Sequence, residues 1–367
     1  MGSLIGLILV PLIVGGAMFY FFKSTITWKE YLLMEGAAIL IAVLGFFIAR
    51  WGSAQDTEYW NGRITNKDRS HMSCCHCSQV CTGHDSNGNC NSWTEVCSHS
   101  YDLMWSLDVS TGDSITVDSC EPPSASDPLL WAKAIVGEPA SVGHSYTNYL
   151  LMDPDSILNK DQTLSEEEEK VLRIPPFPSV YDRYKRHPVM HKGIPELQGW
   201  DRLLNEMNAD IGYSSQVDVT LMVTDQPDES YALKVEGKWL YGPKNSVNII
   251  AGTDGKVLTW VRVVTLNQVE ELKVILRDNL KGWPLSDAEG GVEAIRQAIE
   301  TKYTRTSMEE YSYLSANATP PTWALILLYL LDLAVVVGLG IWSHKEDIFG
   351  DSGRFRGFRG FGRSNWR

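Results

Sequence analysis

The clearest chemical feature of this sequence is a polar stretch that holds seven cysteines and four histidines between His71 and Cys120. Six of the cysteines stand close together: Cys74, Cys75, Cys77, Cys81, Cys90 and Cys97. Clustered thiols form disulfides in an oxidising compartment, or they bind zinc as thiolates. The stretch has too few aliphatic residues to bury a core of its own, so we expect cross-links of one of these kinds to stabilise it.

Two interpretations of this cluster stay open. In the first, the six clustered cysteines pair as disulfides, and Cys120 is left as a free thiol or an intermolecular bridge; the sequence does not fix the pairing. In the second, Cys74 and Cys77 have the two-residue spacing of a zinc knuckle, and Cys90 with Cys97 or a nearby histidine completes the site. No second pair has this spacing, so we predict disulfides, with zinc as the alternative, if the cluster lies outside the cell.

Three apolar runs decide where the cluster lies. The segments 3–22, 31–49 and 322–342 are each long enough, as helices, to cross a hydrocarbon core of about 30 Å. We therefore predict an integral membrane protein with an N-terminal transmembrane hairpin and a C-terminal transmembrane helix. Three spans place the large loop between the second and third runs on the same side as the N-terminus.

Basic residues indicate the orientation of these spans. Lys23 and Lys29 lie in the short loop between the first two runs, and Lys345 and the basic tail follow the third, so both sets share one face. The positive-inside rule makes that face cytoplasmic. The large loop and its cysteines are then extracytoplasmic, in a bacterial inner membrane or a phage-associated one, and the C-terminus is cytoplasmic. Arg50 and Arg63 argue the other way, but long loops count for less.

Two carboxylates lie inside the predicted spans, Glu35 in the second and Asp332 in the third. Ionisable residues inside membrane spans are energetically costly and often have a functional role. We favour hydrogen bonding across helices, helped by the small residues Gly36, Ala38 and Ala42, over an ion or proton path. On this interpretation the spans associate with one another or with other copies of the chain.

The C-terminal tail interleaves arginine with phenylalanine and glycine. Its arginines near a membrane surface predict contacts with anionic lipid headgroups, in preference to nucleic acid, and a plain topology signal is the alternative. The residues concerned are Arg354, Arg356, Arg359 and Arg363.

The patterning between the membrane runs predicts a mixed α+β architecture. Residues 105–109 and 114–117 alternate as a β-hairpin around the turn Ser110–Asp113, and the order helix, strand, helix, strand, strand, helix, helix after residue 195 predicts a layered α/β domain. We divide the chain into a transmembrane hairpin (1–50), a Cys/His-rich β module (51–121), a partly structured connector (122–194), the α/β domain (195–305), a transmembrane helix (322–342) and the basic tail (343–367).

The α/β region resembles the TPM domain. The resemblance rests on the strand Val217–Val223, on Gly242–Ala251 and on Asp254-Gly-Lys-Val257. It implies a membrane-tethered module with phosphatase activity or calcium binding. The chain departs from that family at Val264–Gln268 and Pro284–Asp287, so no functional residue is carried over.

Most of the chain also resembles a family of membrane proteins encoded by tailed bacteriophages. This resemblance rests on Asp56–Gly62, the cysteine-rich stretch after it, His144–Tyr149 and Trp260–Val264 with Glu270–Val274. It implies a setting at the host envelope or the virion, and no particular activity.

Catalytic signatures are missing from the sequence: there is no P-loop, no Gly-x-Ser-x-Gly elbow and no His-Glu-x-x-His helix. Asp254 and Asp287 fit a turn and a helix cap better than an acid site. We therefore assign no catalytic residue and expect a non-enzymatic, membrane-anchored protein that contacts other membrane, envelope or virion proteins. The alternative is a TPM-like phosphatase or calcium-binding module. No cofactor is expected on the first hypothesis, and zinc or calcium on the alternatives.

Overall fold

A computed structural model describes residues 2–153, 156, 158, 172–191, 194–195, 197–266 and 269–345. The chain divides into two compact units, one of Met1–Gln55, Thr147–Lys160 and Met308–Arg367, the other of Asp56–Tyr146 and Asp161–Ser307. The described helices are α1 (Gly2–Phe21), α2 (Trp28–Gly52), α3 (Leu129–Lys133), α4 (Tyr149–Met152), α5 (Leu197–Ser215), α6 (Ser230–Trp239), α7 (Glu270–Leu280), α8 (Ala288–Lys302), a 3₁₀ helix (Met308–Asn317) and α9 (Thr322–Lys345). The described strands are β1 (Gln55–Met72), β2 (Cys77–His84), β3 (Cys90–Cys97), β4 (Asp102–Val109), β5 (Ser114–Glu121), β6 (Pro139–Thr147), β7 (Val189–Met190), β8 (Asp218–Thr224), β9 (Ser246–Thr253) and β10 (Leu258–Val264).

The first unit contains three helices, α1, α2 and α9, that are long and apolar enough to cross a membrane. They confirm the three predicted spans. Helix α2 begins three residues earlier than predicted because Thr27 and Glu30 form a capping box: the Glu30 amide donates to the Thr27 hydroxyl, and the Thr27 amide donates to the Glu30 carboxylate at 2.7 Å.

The three helices pack against one another through small and apolar side chains. Met34 and Ala38 of α2 contact Val336 of α9 in one buried cluster. At one end of the bundle the Thr25 hydroxyl lies 2.8 Å from the His344 ring. The α1–α2 loop and the C-terminal end of α9 therefore lie at the same end. The arginine tail that follows α9 lies outside the described residues.

The second unit contains the predicted β-hairpin as part of a four-stranded sheet of order β5-β4-β1-β6. Strands β4 and β5 are antiparallel, with Leu107 opposite Ile115, and Gly112 takes the positive φ of 91° that their turn needs. Trp105 and Leu107 are fully buried on one side of this sheet. The sequence thus predicted this hairpin correctly.

Segment 122–194 differs from the predicted connector. It supplies β6 to the first sheet, beside β1, and β7 to the sheet of the α/β domain. The β module therefore runs past residue 121. Strand β6 was missed because its buried residues Ala140 and Ser141 are small and its partner lies far back in the chain, and β7 has only two residues.

The α/β domain has the predicted order of elements. Its sheet has the order β10-β9-β8-β7, with β7, β8 and β9 parallel and β10 antiparallel to β9. Helices α5, α7 and α8 pack on one face against a core that includes Val219 and Ile249, while α6 packs on the other face against Met222 and Ile250. The sheet is covered on both faces, which confirms the layered α/β arrangement and the α+β class of the chain.

Buried polar contacts join the two sheets of this unit. Asn61 of β1 donates from its amide to the Asp218 carboxylate of β8 at 3.0 Å, and the Ser141 hydroxyl donates to Asn61 at 2.6 Å. Arg186 forms an ion pair with the same Asp218, and both side chains are buried. The β module and the α/β domain are therefore parts of one compact unit.

Candidate functional site

The cysteine-rich region folds as a separate two-stranded hairpin. Strands β2 and β3 pair with each other, and no other described strand joins them. Cys77 lies opposite Cys97, and Cys81 lies opposite Trp93. The turn is closed by Asp85, whose carboxylate accepts the amides of Asn87 and Asn89 at 2.8 Å, and these hydrogen bonds lower the pKa of Asp85.

Three disulfides are present, as the sequence predicted, but one pairing differs from the expected set. Cys77–Cys97 and Cys81–Cys90 cross-link the hairpin, while Cys75–Cys120 ties the loop before β2 to β5. Cys74, not Cys120, is the free thiol. The reason is tertiary: β5 returns along β4 and brings Cys120 to the start of β4, where Asp102 lies opposite Met72 at the end of β1.

The hairpin exposes nearly all of its surface. Trp93 is 60% exposed, and Val80 and Val96 are exposed as well. An isolated two-stranded hairpin is marginally stable in water, so here the disulfides take the place of a core. By the strand register, Val80 and Val96 lie on one face of the hairpin and Trp93 lies on the other, and the disulfides restrict both faces.

The base of the hairpin, where it meets the four-stranded sheet, carries a second group of polar side chains. Asp102 is fully buried at the first position of β4. Its carboxylate accepts the Cys75 amide at 2.6 Å, lies 3.2 Å from His76 Nδ1 and makes a short contact with His99 Nε2. Burial opposes ionisation of Asp102, but the Cys75 amide and the two histidines outweigh it and lower its pKa.

This arrangement changes the set of residues that could hold a metal. The zinc alternative used Cys74 and Cys77 with Cys90 and Cys97 or a histidine, but three of those four cysteines are bound in disulfides. Cys74 remains, with His76, His99 and Asp102 around it. Asp102 was not among the predicted ligands, although it stands three residues after His99 in the sequence.

Both intramembrane carboxylates lie inside the helix bundle. Glu35 and Asp332 are buried among α1, α2 and α9, and the carboxylate oxygens have no hydrogen-bond partner among the described residues. The predicted hydrogen bonds across helices are therefore not formed there. Gly15 allows the close approach of α1 to α2, since a Cβ on it would overlap Glu35 Oε1.

The small residues nominated in α2 play different parts in this packing. Ala38 and Ala42 are fully buried in helix contacts, as predicted. A Cβ on Gly36 would meet open space, so Gly36 is not a close-contact position.

The α/β domain contains a cavity of about 1090 Å³ at the carboxyl ends of β7 and β8. Open α/β sheets commonly bind ligands at this edge. His187 lies in its wall, with Nδ1 2.7 Å from Asp201 and Nε2 2.7 Å from the Tyr181 hydroxyl. Arg173 and His191 also line the cavity. This cavity could not be predicted from the sequence, because its residues come from segments far apart in the chain.

The two aspartates considered for an acid site have structural roles. Asp254 accepts the amides of Lys256 and Val257 in the β9–β10 turn, and these hydrogen bonds lower its pKa. Asp287 caps α8 by accepting the Gly290 amide at 3.0 Å. Neither lines the cavity.

No protein-family model, curated protein or solved structure matches this chain. The resemblances to the TPM domain and to phage membrane proteins stay predictions from sequence motifs.

Proposed function

We propose that the protein is a non-enzymatic membrane protein whose large extracytoplasmic loop contacts another protein through the β2–β3 hairpin. The observation that carries this proposal is the hairpin itself, which is cross-linked by two disulfides and yet leaves Val80, Trp93 and Val96 exposed. The partner is a protein of the envelope or the virion.

The physics of interfaces supports this use of the hairpin. Tryptophan is enriched among the residues that carry most of the binding free energy of an interface. A surface that is already rigid loses less conformational entropy when it binds. The two disulfides restrict the strands around Trp93 before any partner arrives.

The cysteine chemistry also supports the proposed orientation. Disulfides persist in oxidising compartments and are rare in the cytoplasm. Lys23 and Lys29 favour a cytoplasmic position for the α1–α2 loop, which lies on the opposite side of the membrane from the large loop. Both arguments give the same side for the large loop.

Site-specific photo-crosslinking tests the proposal. A photoreactive residue placed at Trp93 in the full chain, expressed in its membrane, should give one discrete adduct with another protein. The matched control is the same residue at Val274, an exposed position on α7. An absence of adducts at Trp93, or the same adducts from both positions, would contradict the proposal.

A second function is favoured by the cavity beside His187. Arg173 offers positive charge for a phosphate group, His187 and His191 offer ring nitrogens, and Asp201 orients His187, so a phosphatase of the TPM type is the competing candidate. The full chain in detergent should be assayed against generic phosphomonoesters, with and without calcium. Turnover that is lost in Asp201→Asn and kept in Asp254→Asn would replace the first proposal.

A further inference from the structure

We propose that Cys74, His76, His99 and Asp102 bind one zinc ion at the base of the β2–β3 hairpin. The Cys74 sulfur, one nitrogen of each histidine and one Asp102 oxygen all lie within 4.8 Å of one another. This site is separate from the exposed hairpin surface and does not depend on the identity of any partner.

The donor set suits zinc by number and by kind. Structural zinc is four-coordinate and takes thiolate, imidazole and carboxylate ligands at about 2.0 to 2.3 Å. A tetrahedron of that size separates its ligand atoms by roughly 3.3 to 3.8 Å. The more distant pairs therefore need to close by at most about 1 to 1.5 Å around an ion, and the short His99–Asp102 contact needs to open. Cys74 and His99 are partly exposed and His76 is exposed, which gives an ion a route in.

The fold brings these four residues together from three chain segments. Asp102 begins β4, His99 precedes it in the bend after β3, and Cys74 and His76 lie in the loop between β1 and β2. The Ser98 amide donates to the His76 carbonyl at 3.0 Å. This hydrogen bond holds the β1–β2 loop next to the bend that follows β3. Two imidazole nitrogens thus converge on one carboxylate next to a thiol.

Asp102 has the environment of a metal ligand with a supporting contact. It is fully buried, and Oδ2 accepts the Cys75 amide at 2.6 Å while Oδ1 faces His99. The amide fixes the orientation of the carboxylate, and an ion would take the place of the direct contact between Oδ1 and His99 Nε2. Such supporting hydrogen bonds are a regular feature of protein metal sites.

The state of Cys74 gives an independent reason to expect an ion. Its sulfur lies within 4.8 Å of the sulfurs of Cys77 and Cys97, which form a disulfide. Thiol–disulfide exchange begins with attack of a thiolate on a disulfide sulfur, so a free thiol beside a disulfide can rearrange the pairing. Coordination to zinc, with release of the thiol proton, occupies the sulfur and protects the neighbouring bond.

Bound zinc would fix the hairpin to the sheet. The hairpin joins the rest of the unit through this base and through Cys75–Cys120. An ion held by the β1–β2 loop, the bend after β3 and strand β4 adds a second link. This link fixes the orientation of the exposed hairpin relative to the sheet.

Metal binding to the full chain tests the proposal. The protein is purified in detergent without reductant, stripped with a chelator, dialysed against zinc and then against metal-free buffer, and its zinc is measured by elemental mass spectrometry. About one zinc per chain should remain, as is usual for structural sites. Cobalt(II) in its place should give visible absorption bands together with a thiolate-to-cobalt charge-transfer band.

Variants assign the ligands. Cys74→Ser should abolish the charge-transfer band, and His99→Ala should reduce retained zinc to a small fraction of one per chain. His144→Ala is the matched control, because His144 also pairs with a carboxylate, Asp113 at 3.0 Å, but belongs to β6. It should bind zinc as the unchanged protein does. Disulfide mapping of every variant confirms that the three bridges are intact.

The wild-type measurement alone is able to overturn the proposal. Failure of the oxidised chain to retain zinc would refute it, whatever the variants do. Retention of the charge-transfer band in Cys74→Ser would also refute it. Zinc that binds only after reduction, and equally in His99→Ala, would assign the ion to Cys74, Cys77 and Cys97 instead.

Discussion

The β2–β3 hairpin and the α/β domain belong to the same compact unit but are stabilised in opposite ways. Trp93 of the hairpin is 60% exposed and lies opposite a disulfide cysteine, whereas Trp200 of α5 is fully buried and donates its indole N–H to the Leu285 carbonyl at 2.8 Å. The hairpin relies on covalent cross-links, and the α/β domain relies on apolar burial. The same residue type therefore serves as presented surface in one region and as core in the other.

The largest expected effect comes from the buried tryptophan. Trp200→Ala should lower the free energy of unfolding by about 5 kcal/mol, from the cavity it leaves and the unpaired Leu285 carbonyl. The measurement is the denaturation midpoint of the full chain in detergent, with hydrogen exchange to locate the change in α5 and α8. Trp93→Ala, the matched control, should stay within about 0.5 kcal/mol of the unchanged protein. Similar losses in both variants would contradict the contrast between the two regions.

The next largest effect concerns a buried ion pair in this unit, whose α/β domain otherwise relies on apolar burial. Arg186 and Asp218 form a buried ion pair, and the Arg186 guanidinium also lies 4.4 Å from the Tyr59 ring centre. Arg186→Met should cost about 3 to 5 kcal/mol because it leaves the Asp218 charge buried without its partner. The double variant Arg186→Met with Asp218→Leu should recover part of that loss. If the double variant loses as much free energy of unfolding as the two single variants together, Arg186 and Asp218 do not stabilise each other.

A smaller and local effect is expected in the hairpin. Cys81→Ser with Cys90→Ser removes a bridge between residues nine positions apart, which should destabilise the hairpin by about 2 to 3 kcal/mol. Hydrogen exchange should quicken in β2 and β3 and stay unchanged in β8 and β9. The variant keeps the Cys75–Cys120 disulfide, so hydrogen exchange at the base of the hairpin serves as an internal control. Faster exchange throughout the α/β domain would show that the two regions are not independent.

These two regions also differ in how much of them could be predicted. The α/β elements were predicted in the right order, because each has its own apolar periodicity and a turn such as Gly252–Gly255. The disulfide chemistry was predicted from composition. The pairing of Cys75 with Cys120 was not, since it depends on β5 returning along β4, which no local pattern records.

The candidate sites show the same limit. Cys74 and the histidines were visible in the sequence, but the role of Asp102 depends on its register opposite Met72. The cavity beside His187 joins residues from β7, β8 and the segments around them. Local chemistry can be predicted from residue type, whereas the partners of each residue depend on packing between distant segments.

The smallest effect concerns a surface ion pair that links the β1 strand to the α/β domain. Asp210 of α5 contacts Arg63 at 2.7 Å and Arg296 at 3.2 Å. Burial raises the pKa of Asp210, but hydrogen bonds from the two arginines outweigh it, so its pKa in the folded protein is lower than in the unfolded chain. A lowered carboxyl pKa contributes stability above the unfolded value of about 4, and that contribution is lost as the pH falls through the folded pKa.

Asp210→Asn should therefore cost about 0.5 kcal/mol at pH 7, a value kept small by solvent exposure and by the remaining contact of Arg63 with Glu206. The difference between the variant and the unchanged protein should shrink towards zero as the pH falls well below 4, and it should also shrink in high salt. Denaturation midpoints at neutral and acidic pH, each at low and high salt, measure both trends. A difference that persists at low pH would assign the effect of Asp210 to packing or neutral hydrogen bonding, because the charge of the carboxylate is absent there.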